Sequence, residues 1–237
     1  MDKFFRVNEK VNGYYIQKML GEGRFGIAYL AINDRSEQCV VKQLKREMLS
    51  QSRQKLFYEE QILRRLDDHR FPKFISKFED NYREGYLLEY IDGQVFNDLL
   101  VKNRNQFTRR DIYAVASQLL DMADFLHTHN IIHRDIRLPN VILTKNKELA
   151  LIDFGLARFI DNERNSKQID YWFIGDFLIF LYYSTYKNNN RTDRPWFREL
   201  DLNYEEIKFL KKLMGIGGHY RNSEEIKIQL DKIKRML

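Results

Sequence analysis

Short alternating runs of apolar and polar residues fill the first ninety positions, and longer helical periods fill most of the rest. Residues 14–20, 27–32 and 39–44 read as strands, with Asn33-Asp34 turning the chain between the last two. Residues 50–66 have helical periodicity, with Leu56, Glu59, Ile62, Leu63 and Leu66 on one side. Residues 74–78 and 86–90 read as a strand pair ending at Ile91-Asp92-Gly93, where a boundary is expected. The clearest helix follows Thr108-Arg109-Arg110-Asp111, a capping box with Asp in place of Glu. Its stripe is Ile112, Val115, Leu119, Met122 and Leu126, and Asn130 is a good left-handed stop. The pattern predicts an α+β chain with an antiparallel sheet and one main helix up to residue 90. A connection over 89–93 and a mainly helical part over 93–237 follow.

Composition narrows the partners. Hydrophobic residues make up 43% of 237, enough for a sizeable core. The net charge of +6 favours acidic partners such as nucleotide phosphates, nucleic acid or an acidic substrate. Nucleic acid is disfavoured because most lysines of the second half alternate with acids, and the aromatics form no stacking platform. The single cysteine, Cys39, permits no internal disulfide and no zinc cluster, which implies a reducing compartment. Charges interrupt the apolar residues of the N-terminus, so no secretory leader is expected. The greasy stretch 172–186 is broken by Asp176; its uncharged piece, 177–186, is about half a membrane span and reads as a buried helix. A cytoplasmic protein with no membrane partner is the expectation.

Three groups of residues carry candidate chemistry. Gly21-Glu22-Gly23-Arg24-Phe25-Gly26 links two strands; glycines let backbone N–H groups approach phosphates, although the pattern alone also fits an ordinary hairpin turn. A strand, not a helix, follows it, which disfavours a dinucleotide-binding fold. Lys42 ends an apolar strand, and Glu59 lies in the apolar stripe of its helix, where an unpaired carboxylate would be expensive. The two are expected to pair, with Glu60 the alternative to Glu59. Finally, 141–144 and 149–152 read as a hairpin in which 141 faces 152 and Asn140 faces Asp153, roughly 5 Å apart at Cα. A carboxylate and an amide oxygen so placed would chelate magnesium.

Taken in order, Gly21 to Ala28, Val40-Val41-Lys42, Glu59, Leu88-Glu89-Tyr90, His133-Arg134-Asp135, Asn140 and Asp153-Phe154-Gly155 resemble the protein kinase family. The likeness extends from about residue 14 to the end and is weak after 160. It looks nearest to the short cytoplasmic eukaryotic-type Ser/Thr kinases of Gram-positive bacteria, which share an Asp-Ile-Arg-x-Pro-Asn loop, a reduced second lobe and no full activation segment.

The resemblance implies one bilobal kinase domain and the following roles. Gly21, Glu22, Gly23, Phe25 and Gly26 cover the ATP phosphates, and Lys42, paired with Glu59, anchors them. The backbone from Glu89 to Ile91 binds adenine, with Leu88 behind the pocket and Ala28, Val40 and Ile142 against the ring. Asp135 receives the proton of a Ser/Thr hydroxyl on a protein substrate. Arg137 stands where Ser/Thr kinases carry a γ-phosphate lysine. Asn140 and Asp153 hold Mg2+, with Mn2+ as a substitute. His133 and Phe154 are expected to stack in the core.

Departures also follow. Asp170-x-Trp172-x-x-Gly175 resembles a buried helix start that normally lies about twice as far downstream, so the activation loop and the Ala-Pro-Glu element are missing. Arg221 is left as a surface residue, and constitutive activity is implied. A pseudokinase and a small-molecule phosphotransferase of the aminoglycoside-kinase type are the competing readings. The first would lack some catalytic position, and the second usually places Gly where Arg134 stands.

Overall fold

The computed structural model describes residues 2–160, 166–187 and 194–236, with backbone alone at 50–57. The chain divides into two units, Met1–Asp92 and Gly93–Leu237.

In the first unit, period-two alternation builds six antiparallel strands: β1 (Lys10–Val11), β2 (Tyr14–Glu22), β3 (Gly26–Asn33), β4 (Gln38–Leu44), β5 (Phe74–Glu79) and β6 (Glu84–Glu89). Their order in the sheet is β1-β2-β3-β4-β6-β5. One face buries Ile27, Tyr29, Ala31, Cys39, Val41 and Leu87 against Phe5 and Phe78. Burial pushes the Cys39 thiol pKa up to about 12. In-register neighbours put Ala28, Lys42 and Tyr86 on the other face, next to Leu30, Val40 and Leu88. Helix α1 spans Arg46–Leu63, starting four residues before the periodicity suggests. It ends at Leu63 because the chain tightens there, with Arg65 N–H donating to the Ile62 carbonyl. Glu59, Ile62 and Leu63 are buried. Leu56 lies outside the described side chains.

In the second unit, β7 (Gln94–Val95) precedes a single wide turn of helix at Asp98–Lys102 and then α2 (Arg109–Thr128). The expected capping box is present: Thr108 accepts from Asp111 N–H, and the Asp111 carboxylate accepts from Thr108 N–H. All five expected stripe residues of α2 are buried, and Asn130 takes the left-handed conformation at φ 61°. Next come β8 (Ile131–Ile132), β9 (Val141–Leu143), β10 (Leu149–Leu151) and β11 (Arg158–Phe159). The helices α3 (Gln168–Tyr183), α4 (Trp196–Glu199), α5 (Tyr204–Leu213) and α6 (Ser223–Lys234) complete the unit. The greasy stretch is the core helix α3, which packs on α2 and α5. Among the described residues no helix is long and apolar enough to cross a membrane. Arg221 is exposed and faces Glu225 on α6.

The β9–β10 hairpin corrects one expectation. Its register is Val141↔Leu151, Ile142↔Ala150 and Leu143↔Leu149. Asn140 therefore faces Ile152, whose N–H donates to the Asn140 carbonyl at 2.9 Å, and Asp153 lies one residue further on. The shift comes from Thr144. It leaves the strand to join the turn, accepting from Glu148 N–H and donating to the Glu148 carbonyl, while Lys147 adopts φ 62°.

Candidate active site

The first unit holds the candidate phosphate-anchoring residues. The loop between β2 and β3 is closed by Gly23 N–H donating to the Gly26 carbonyl at 2.9 Å. A Cβ at Gly26 would stand 2.5 Å from the Gln43 carbonyl oxygen, so this glycine is required by the neighbouring strand. Gly21 faces nothing within 4 Å, so its missing side chain leaves room for an external group. Glu22 pairs with Lys45, and Phe25 is partly buried.

Lys42 Nζ lies 2.8 and 2.7 Å from the two Glu59 oxygens, and Glu59 is 2% exposed. Taking this pair out of water is repaid only if the remaining lone pairs are met. Tyr86, opposite Lys42 on β6, meets them by donating its hydroxyl to Glu59 Oε2. Nothing local to its segment marks Tyr86; strand alternation places it only on the same side as Lys42. Glu60 instead bonds Arg64 and Lys77. Leu88 is buried on β6, and Glu89 N–H donates to the Lys73 carbonyl, so its N–H is already committed. Ile91 follows the strand and is partly exposed. Tyr86→Phe is expected to lower kcat/KM for ATP roughly tenfold, because a bond to a buried charge is worth about 1.5–3 kcal/mol. Steady-state kinetics against ATP checks this.

The second unit holds the candidate transfer residues. Asp135 is 6% exposed, and its carboxylate is held from two sides. Arg137 donates from Nε to Oδ1 and from Nη2 to Oδ2, the latter at 2.9 Å. Asn140 Nδ2 donates to Asp135 Oδ2 at 2.7 Å and to the Asp135 carbonyl at 2.9 Å. The Asp135 carboxylate holds the Arg137 guanidinium pKa above its usual value.

The loop itself is pinned by Asp170 in the first turn of α3, which is fully buried. Its Oδ1 accepts from Arg134 N–H at 2.7 Å, and its Oδ2 accepts from His133 N–H at 3.0 Å and lies 2.9 Å from His127 Nε2. These bonds hold Arg134 in the left-handed region at φ 66°, a conformation that needs such support. The His133 ring packs edge-on to Phe154 at 4.7 Å, as expected, and burial lowers its pKa so that it stays neutral. Asp161 and Glu163, which the sequence offers as acidic partners for the Arg134 side chain, lie outside the described residues.

Asp153 also adopts a left-handed backbone, φ 63°, and its Oδ1 accepts from Gly155 N–H at 3.3 Å. Asn140 turns its amino group to Asp135, which leaves its amide oxygen as the donor it can offer a cation. Among the described residues no cluster of three or more His, Cys, Asp or Glu could hold a metal. Two protein oxygens, with phosphates and water completing the shell, suit magnesium. Ile142 is buried on β9, and a Cβ at Gly93 would stand 2.4 Å from its Cγ2, so the start of the second unit needs glycine.

The protein kinase domain model matches residues 14–193. Over 227 residues the chain is 32% identical to the "Probable serine/threonine-protein kinase YbdM" of Bacillus subtilis, covering 92% of this chain and 88% of that protein. It is 31% identical over 165 residues to serine/threonine-protein kinase Nek5 of Mus musculus, 67% of this chain and 25% of that protein. It is 30% identical over 157 residues to dual specificity protein kinase zakA of Dictyostelium discoideum, 63% of this chain and 19% of that protein. The chain thus spans a quarter or less of those two eukaryotic relatives. It belongs to the protein kinase family and is a serine/threonine-protein kinase with the α+β fold of that family. Membership implies use of ATP and a divalent metal generally.

Proposed function

We propose that this kinase transfers the γ-phosphoryl group of Mg-ATP to Ser and Thr hydroxyls of proteins, and that it does so without prior phosphorylation. The whole chain, 1–237, acts as one kinase domain, with 89–93 as its hinge. Glu89 to Ile91 bind adenine by their backbone, and Leu88, Ala28, Val40 and Ile142 pack around the ring. Gly21, Glu22, Gly23, Phe25 and Gly26 cover the phosphates that Lys42 and Glu59 anchor.

The acceptor hydroxyl donates to Asp135. As its oxygen bonds to the γ-phosphorus, the bond to the β-phosphate oxygen breaks and the proton passes to Asp135, then to solvent. Arg137, whose side chain is 55% exposed, leaves the Asp135 carboxylate for the γ-phosphate, which a guanidinium can grip with two N–H groups. Asn140 and Asp153 would hold magnesium, which would supply charge neutralisation on the phosphates.

The observation that carries the reading is the pinned loop. Asp170 and Asn140 already fix Asp135 in the unphosphorylated chain. Between Gly155 and Asp170 the sequence offers a single hydroxyl, Ser166, and this one accepts from Gln168 N–H at the start of α3. Incubation with labelled Mg-ATP and a generic protein, followed by phosphosite mapping, tests the reaction; exclusive phosphotyrosine would overturn the Ser/Thr assignment. Phosphatase-treated wild type and Ser166→Ala are expected to keep initial rates within roughly tenfold of the untreated enzyme, or about 1.4 kcal/mol. A larger loss in either would mean that phosphorylation is required.

A further inference from the structure

A groove of about 420 Å3 on the second unit runs beside the catalytic loop. Leu138 and Pro139, Leu100 and Val101, and Asp176 and Phe180 of α3 line it. Val101 is 66% exposed and Phe180 49%, so large apolar side chains face solvent here.

Asp176 sits badly as a purely structural residue. It occupies the interior of α3, where Asp is a poor helix former. Its helical neighbours at three and four residues are Trp172, Phe173, Ile179 and Phe180, none of which carries a positive charge. Burial raises its pKa with no offsetting cation or hydrogen bond. The cation among the lining residues, Arg137, bonds Asp135 and not Asp176. A partly buried carboxylate of this kind carries an uncompensated desolvation penalty that an incoming cation would relieve.

We propose that this groove binds the protein substrate next to its acceptor residue, and that Asp176 selects a Lys or Arg side chain flanked by a bulky apolar residue. The proposal rests on the kinase reading above and adds the substrate class to it. Two features choose this occupant. The charge is complementary to a basic side chain whose methylenes can lie along Phe180 and Val101. The groove is also continuous with the loop that carries Asp135, since Arg137, two residues on, lines it.

The test uses the full chain and three serine peptides that differ at one position beside the acceptor, Arg-Leu, Gln-Leu and Glu-Leu. Each is measured for kcat/KM and, without nucleotide, for binding by fluorescence anisotropy. The wild type is expected to prefer Arg over Gln by roughly tenfold, carried mainly by KM. Asp176→Asn should bring that ratio close to one, and Asp176→Lys should favour Glu. Phe180→Ser, at an exposed position, should weaken binding of the Leu peptides relative to Ala counterparts. Equal use of Arg and Gln by the wild type, or a ratio that survives Asp176→Asn, overturns the proposal. So does concentration-dependent dimerisation that Phe180→Ser abolishes, because a second copy would then be the occupant. If no peptide is phosphorylated yet the charge preference in binding persists, the failure belongs to the kinase reading and not to the groove.

Discussion

Lys42→Ala is expected to reduce phosphoryl transfer by roughly a hundredfold to a thousandfold, the range typical when a preorganised charge at the reacting centre is removed. Lys42 is the cation that both Glu59 oxygens meet, and truncation removes that cation from a buried carboxylate to which Tyr86 also donates. Removing one partner of a buried pair also destabilises, by about 3–5 kcal/mol. The substitution therefore has two readouts. Thermal melting follows the loss of stability, and activity measured well below the melting temperature follows the loss of phosphate anchoring. Asp153→Ala gives the complementary result. It should lower transfer to a similar extent while flattening the magnesium dependence of nucleotide binding. Retention of a normal magnesium dependence would remove Asp153 from the metal site.

Asp135→Asn is expected to leave ATP affinity near that of the wild type and to cut turnover by about 10^2–10^4-fold, the usual contribution of a general base. An amide keeps the shape of the carboxylate but not its capacity to take a proton. It also loses the charge that draws the Arg137 guanidinium into its two-pronged contact. Pre-steady-state measurement separates the two effects, because a binding defect would move the nucleotide Kd and a chemical defect would not. Wild-type turnover in this variant would disprove the assigned role.

The parts of this molecule that the sequence disclosed are those whose chemistry is local. Thr108 and Asp111 announce their capping box within four residues, and Asn130 announces the end of the same helix. Glu59 could be paired with Lys42 in advance because a carboxylate in an apolar stripe has to find a cation. The hairpin register was not legible. It depends on Thr144 leaving its strand and on Lys147 adopting a left-handed conformation, and neither residue type signals that choice. Tyr86 escaped notice for a related reason. Its hydroxyl matters only once the sheet brings β6 beside β4 and α1 supplies Glu59. Asp170 looked like the start of a buried helix, but its bonds to the backbone of His133 and Arg134 cross 36 to 37 residues of chain. Asp176 read merely as an interruption of a greasy segment.

Cys39 has a practical consequence. The protein's sole thiol is fully buried on β4 and resists ionisation. Thiolates, not thiols, attack alkylating reagents, so the native chain is nearly silent toward maleimides and similar dyes. A cysteine introduced at an exposed position, such as Arg24 in the glycine loop or Val101 in the groove, would then be the single point of attachment. Fluorophores or spin labels could be placed one at a time without first stripping the protein of its own sulfhydryl. Loop closure over a nucleotide and peptide arrival in the groove could each be watched in real time on an otherwise unaltered enzyme.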